Sequence, residues 1–147
     1  MAKGSSGLKS FIALVGRIFL SVMFIAAGAQ KIMQYKAMSV MLGTMGLPAS
    51  NWLLILAIVF ELGGGLLVFF GWFARFGAFL LFIFVILATY LFHTFWTFQG
   101  AQAVNQMQHF FKNLTILGGL LYVMAYGAGC VSFDALRHRS KGTTSAQ

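Results

Sequence analysis

WLLILAIVFELGGGLLVFF, residues 52–70, decides the fold: nineteen residues that carry a single charge. As a helix rising 1.5 Å per residue the stretch is about 28 Å long, close to the thickness of a bilayer's hydrocarbon layer. Three further apolar runs, Phe11 to Ala29, Phe76 to Phe95 and Leu114 to Val131, reach comparable length. None shows the strict alternation of a transmembrane strand. The pattern predicts an all-α integral membrane four-helix bundle with spans near 11–29, 52–70, 76–95 and 114–131. Composition points the same way, because 60% of the 147 residues are hydrophobic and 8% are charged. An ordinary soluble domain carries about 25% charged residues.

The connections follow from the spans. The first run is longer than the apolar core of a cleaved leader and three comparable runs follow it, so it is read as a retained helix. Gly71 to Arg75 is short enough to force spans two and three into an antiparallel hairpin. Between spans one and two, Met38, Met41, Leu42 and Met45 recur at helical spacing, which predicts an extra interfacial helix within Ile32–Gly46, lying flat on the outer leaflet. Gly46-Leu47-Pro48 ends it, and Ser50 or Asn51 is available to cap the next helix. Gln99 to Phe111 forms a second outer segment, read either as helical from Val104 through Met107 and Phe111 or as a loop that carries His109. The chain thus divides into a cytoplasmic N-terminal segment 1–10, a membrane domain 11–133 and a basic tail 134–147 read as disordered.

The net charge of +8 would suggest nucleic acid in a soluble protein. Here the basic residues flank the spans, where they set topology and exclude a nucleic-acid partner. Lys3, Lys9, Arg75, Arg137, Arg139 and Lys141 fall on one side, and Lys31, Lys36 and Lys112 on the other, which predicts both termini in the cytoplasm. Cys130 is the single cysteine, so intrachain disulfides and Cys-x-x-Cys redox chemistry are excluded.

Glu61 is the leading functional candidate. A charge at the bilayer centre costs about 2.5 to 3.5 kcal/mol on insertion scales, so a carboxylate persists there only when paired, protonated or wetted. Counting depth from Phe11 and from Phe70 puts Arg17 and Glu61 within reach of each other, which predicts a buried Arg17–Glu61 pair serving as a strut or a proton site. A second polar group gathers where the spans end: Gln30, Lys31, His93, Trp96, His109, Lys112 and Asn113. Interfacial anchoring accounts for tryptophan and lysine at that depth. His93 and Asn113 are better explained as ligand contacts. No grouping of histidines with carboxylates suggests a metal centre, and a looped His109 makes a poor haem partner for His93.

These residues resemble those of the DoxX family of small four-helix bacterial membrane proteins, which includes DoxX-like proteins linked to catechol and quinone resistance. The likeness runs from about Val15 to Phe133. It rests on Gly16-Arg17 and Gly28-Ala29-Gln30-Lys31, on Glu61-Leu62-Gly63-Gly64-Gly65 with Gly71 and Arg75-Phe76-Gly77-Ala78, on His93-Thr94-Phe95-Trp96, and on Phe110-Phe111-Lys112-Asn113-Leu114 with Gly118-Gly119-Leu120-Leu121. The resemblance implies an inner-membrane, multi-pass protein associated with respiratory or quinone-linked redox systems, without implying catalysis by this chain. Arg17, Lys31, Glu61, Lys112 and Asn113 occupy the family's polar motif positions.

Three functions are therefore expected to compete. In the first, the chain is an accessory or quinone-interacting component of a redox assembly, with His93 and Lys112 on a quinone-like ring. In the second, it is a proton-coupled small-molecule transporter built on Glu61. In the third, it is a structural or assembly factor, with Arg17 and Glu61 a strut and activity residing in partners; the expected partners are the lipid bilayer, redox-enzyme subunits and a homo-oligomer.

Overall fold

The computed structural model describes residues 3–47 and 50–137, and among them the regular structure is entirely helical. Helix α1 spans Lys3–Met33 and α2 spans Tyr35–Thr44. The second apolar run forms α3, Ser50–Ile58, a π-helical turn at Val59–Gly63, and α4, Gly64–Phe70. After the hairpin come α5, Ala74–Phe92, a short 3-10 turn at Phe95–Thr97, and α6, Gly100–Tyr126. Three stretches, Gly7–Met33, Ser50–Phe70 and Ala74–Thr97, are long and apolar enough to cross a membrane by length and composition. Large apolar side chains such as Phe19, Tyr90 and Trp52 point outward, as a lipid-facing surface requires. The buried centre is Phe24, Val68, Ala78, Leu81, Val85 and Leu120.

Glycine sets how closely the helices approach. Gly64 faces Leu81 of α5, and its neighbour Gly65 faces Ile25 of α1, so consecutive small residues serve two different partners. Ile25 packs on Gly65, Gly28 on Leu62 and Ser39 on Asn51, pairs whose residue numbers all sum to 90. α2 therefore continues the antiparallel register of α1 along α3, with Leu42 buried, where the sequence reading lays it flat on the leaflet. The reason lies in the backbone. The Gln34 amide donates to Gln30 O and the Met38 amide to Gln34 O, so the hydrogen-bond ladder crosses the junction.

Three boundaries differ from the sequence reading. Segment 1–10 is helical from Lys3 onward. The last apolar run is no separate helix beginning at Leu114; it is the second half of α6, because the polar residues before it are adequate helix formers. Its end comes at Tyr126, five residues before Val131, where Gly127 takes φ 78 and stops the ladder. The tail does not leave the bundle at 134 either. Residues 133–137 form one helical turn against the hairpin, and Asp134 N–H donates to Gly71 O at 2.9 Å. The Pro48 stop and the tail from His138 to Gln147, including Arg139 and Lys141, lie outside the described residues.

Candidate functional site

The polar residues fall into three separate groups along the bundle. At the hairpin end, Arg17 is buried and donates from Nη1 to Ala128 O at 2.6 Å and from Nη2 to Val131 O at 3.0 Å. Gly71 faces it, at φ 66. Asp134 accepts from the amides of Phe73 at 2.9 Å and Ala74 at 3.1 Å, capping α5 from a position sixty residues downstream. Arg75 reaches Ala125 O at 3.2 Å, and the Arg137 guanidinium lies 5.2 Å from the Phe73 ring centre.

Midway along the second span, Glu61 is 4% exposed and sits inside the π-helical turn. Such turns widen a helix by one residue and are frequent at functional sites. Its partner is Lys31, whose Nζ donates to Oε1 at 2.9 Å and lies 2.8 Å from Oε2. Oε2 shares the charge but receives no hydrogen bond.

The expected Arg17–Glu61 pair is thus corrected. The antiparallel register sets Arg17 level with Gly71, ten residues and about 15 Å along the second helix from Glu61. Depth counted from Phe11 misses this because α1 begins eight residues earlier, at Lys3. Lys31 instead reaches down from the last turn of α1 on its four-carbon stem.

The third group closes the opposite end. His93 Nδ1 bonds Gln106 Oε1 at 2.7 Å, and the His93 and His109 rings stack with centroids 5.0 Å apart. His109 is helical, in α6, so the looped placement is also corrected. Lys112 Nζ lies 3.1 Å from His109 Nδ1. An ammonium only donates, so Nδ1 of His109 accepts and its proton sits on Nε2. A glutamine oxygen only accepts, so His93 carries its proton on Nδ1 and leaves Nε2 as a lone pair. Desolvation first, then the Lys112 charge and His93, hold His109 below the ordinary histidine range, which keeps the ring neutral at neutral pH.

One turn below His93, Thr89 accepts from Asn113 Nδ2 at 2.8 Å. Beside it a cavity of about 240 Å³ is walled by Tyr90, Trp96, Phe110 and Leu114. Of the candidates from the sequence, His93, Lys112, Asn113 and Trp96 therefore share one end, Lys31 belongs to Glu61, and Gln30 is exposed. Asp134 was not a candidate, and His109 was grouped with this end but not taken as a ligand contact. Asp134 had a signal, being the second of only two acidic residues. His109 had one too, at a spacing of three from Lys112.

The comparisons agree with this architecture. The DoxX family profile matches residues 12–94. The chain belongs to the DoxX family. It is 38% identical over 126 residues to the inner membrane protein YqjF of Escherichia coli (strain K12), covering 86% of this chain and 92% of that protein. It is 32% identical over 124 residues to the inner membrane protein YphA of the same organism, covering 84% and 88%. No solved structure matches the chain. The match to the DoxX profile includes Arg17, Lys31, Glu61 and His93 and ends before Lys112 and Asn113.

Proposed function

We propose that this DoxX-family chain is a quinone-interacting accessory component of a redox assembly in the bacterial inner membrane, with both termini cytoplasmic. The observation that carries the reading is the stacked histidine pair at the same end of the bundle as an aromatic-walled cavity, whose wall includes Thr89, one turn before His93. The two rings offer opposite functions: His109 Nε2–H donates and His93 Nε2 accepts. That donor set fits a quinone head, whose oxygens accept in the oxidised form and donate in the reduced form. Lys112 adds positive charge on the side where a reduced ring carries negative charge. Trp96 and Phe110 supply flat apolar surface for the ring. Bound there, a quinone would supply two-electron chemistry; the residues bind it, orient it and exchange a proton at His93 Nε2.

The inner-membrane location rests on the two relatives. The fourth span is read as the apolar half of α6, Leu114–Tyr126, about 20 Å long, with the polar half of the same helix, including His109, outside the hydrocarbon layer. Orientation gains from the ion pair. With Lys31 paired to Glu61, Lys36 and Lys112 are the cations without a carboxylate partner on the histidine side among the described residues, against the six basic residues that the sequence puts on the other.

Purification in mild detergent, followed by extraction and mass spectrometry, tests the reading. One isoprenoid quinone per chain is expected, lost in His93→Ala and Lys112→Ala. Phospholipid alone, unchanged in both variants, would overturn it.

A further inference from the structure

Arg17 poses a charge problem that this chain does not solve by itself. Its side chain is 5% exposed, and Nε has no hydrogen-bond partner among the described residues. Its two bonds go to neutral carbonyls, Ala128 O and Val131 O. Buried charges in proteins are ordinarily paired. The sequence holds two acidic residues, Glu61 and Asp134. Glu61 is taken by Lys31, and Asp134 accepts from the Phe73 and Ala74 amides and touches Arg17 only through space. Among the described residues no carboxylate is left to neutralise the guanidinium directly.

Beside Arg17 the bundle is open. α1 and α6 leave a groove of about 510 Å³ between them, walled by Gly16, Leu20, Gly119, Tyr122 and Val123, with Arg17 in its lining. A methyl group on Gly16 would meet nothing within 4 Å, so the space is accessible from the side of the helix. Its chemistry has two parts, a buried cation with a spare N–H and an apolar trough along helices whose outer faces are lipid-facing. We propose that this groove is a binding site for an anionic phospholipid, its phosphate lying beside the Arg17 guanidinium as the missing counter-charge and one acyl chain lying between α1 and α6. Charge complementarity selects this occupant over a zwitterionic lipid, and the trough selects it over a free anion. The site lies at the hairpin end, apart from the histidine cluster, and does not depend on the quinone reading.

The test uses the full chain in mild detergent, stripped of lipid and offered equal amounts of phosphatidylglycerol and phosphatidylcholine, with retained lipid counted by native mass spectrometry. One phosphatidylglycerol per chain is expected, preferred about tenfold, because both phosphates can face Arg17 but the choline of phosphatidylcholine sets a second cation beside it. Gly16→Leu fills open space and leaves Arg17 and its carbonyl partners untouched, so it folds and is expected to lose the preference. Arg17→Lys keeps the charge but lacks Nε and the fork, and is expected to weaken retention. Equal retention of both lipids would overturn the proposal, as would a preference that survives Gly16→Leu. Equal thermal protection by inorganic phosphate at matched concentration would assign the site to a free anion instead. A lipid-free dimer that Gly16→Leu dissolves would assign the groove to a second copy of the chain.

Discussion

Two basic side chains, the buried Arg17 and the half-buried Lys31, meet their surroundings in opposite ways. Arg17 holds main-chain carbonyls, and around it Asp134 holds main-chain amides, so the hairpin end is laced through groups that every residue possesses. Lys31 holds a side chain, Glu61, and the histidine end is likewise built from side chains holding side chains. Backbone partners are fixed by the path of the chain. Side-chain partners can exchange, with a proton, a ligand or each other. The first arrangement locks geometry, and the second leaves groups that chemistry can recruit.

Breaking the locked end is expected to have the largest effect. Gly71 has φ 66, and a Cβ there would come within 2.5 Å of Arg17 Nη1 and of Ser132 Cβ. Gly71→Ala adds left-handed strain to overpacking and should destabilise by about 4 kcal/mol, read as a lower melting temperature in detergent. Gly118→Ala is the control, since its Cβ meets nothing within 4 Å, and should melt no lower than the parent. Equal melting of the two variants would mean that the hairpin end is not locked.

The exchangeable end is tested by a cycle. Lys31→Met leaves a carboxylate that is 4% exposed without its partner and should cost about 3 kcal/mol. Glu61→Gln should cost less, because the Lys31 side chain is already 23% exposed and can turn outward. The double variant should recover most of the loss, as when a buried pair is replaced by neutral groups. Additive losses would show that the pair is uncoupled. A Glu61→Gln protein that melts normally but no longer supports the proposed redox assembly would assign Glu61 to function rather than to bracing.

A smaller loss is expected where the two kinds of partner meet. The Asp134 carboxylate caps α5 through two amides, so Asp134→Ala should cost about 1 kcal/mol, and Asp134→Asn less, because the amide oxygen still accepts. Matching losses for the two variants would mean that charge, and not the hydrogen bonds, stabilises the first turn of α5.

The same contrast explains what the sequence discloses. Apolar length revealed the helices, and the short link after Gly71 revealed the hairpin, because both are properties of consecutive residues. Glu61 stood out because burial of a lone carboxylate is legible from its neighbours. Its partner was not, because register between α1 and α3 depends on where α1 begins, and Lys3 to Ser10 carries no apolar signal. The anchoring of Arg17 on Ala128 and Val131 leaves no trace in residue identity at all, since any residue there would offer the same carbonyl. The histidine end was half legible: His93, Lys112 and Asn113 were chemically conspicuous, but their convergence needed α6 to run unbroken from Gly100.

The smallest effect sharpens the comparison most, because it asks whether side-chain partners at the histidine end truly sense each other. Desolvation, then Lys112, then His93 depress His109 below the ordinary value of 6.5. The folded ring therefore binds its proton less readily than the unfolded one. Its contribution to stability is present above the unfolded histidine pKa and is lost as pH falls through and below that value. Lys112→Met removes the second cause and leaves the first, so the His109 titration midpoint, followed by NMR of the ring protons, should rise toward 6.5 without reaching it. His93→Ala removes the third and weakest cause and should move the midpoint less, in the same direction. A midpoint that ignores Lys112 would mean that the ammonium turns away to solvent. His109 Nδ1 would then be free, and the opposed donor and acceptor pair on which the quinone reading rests would lose the contact that fixes its tautomer.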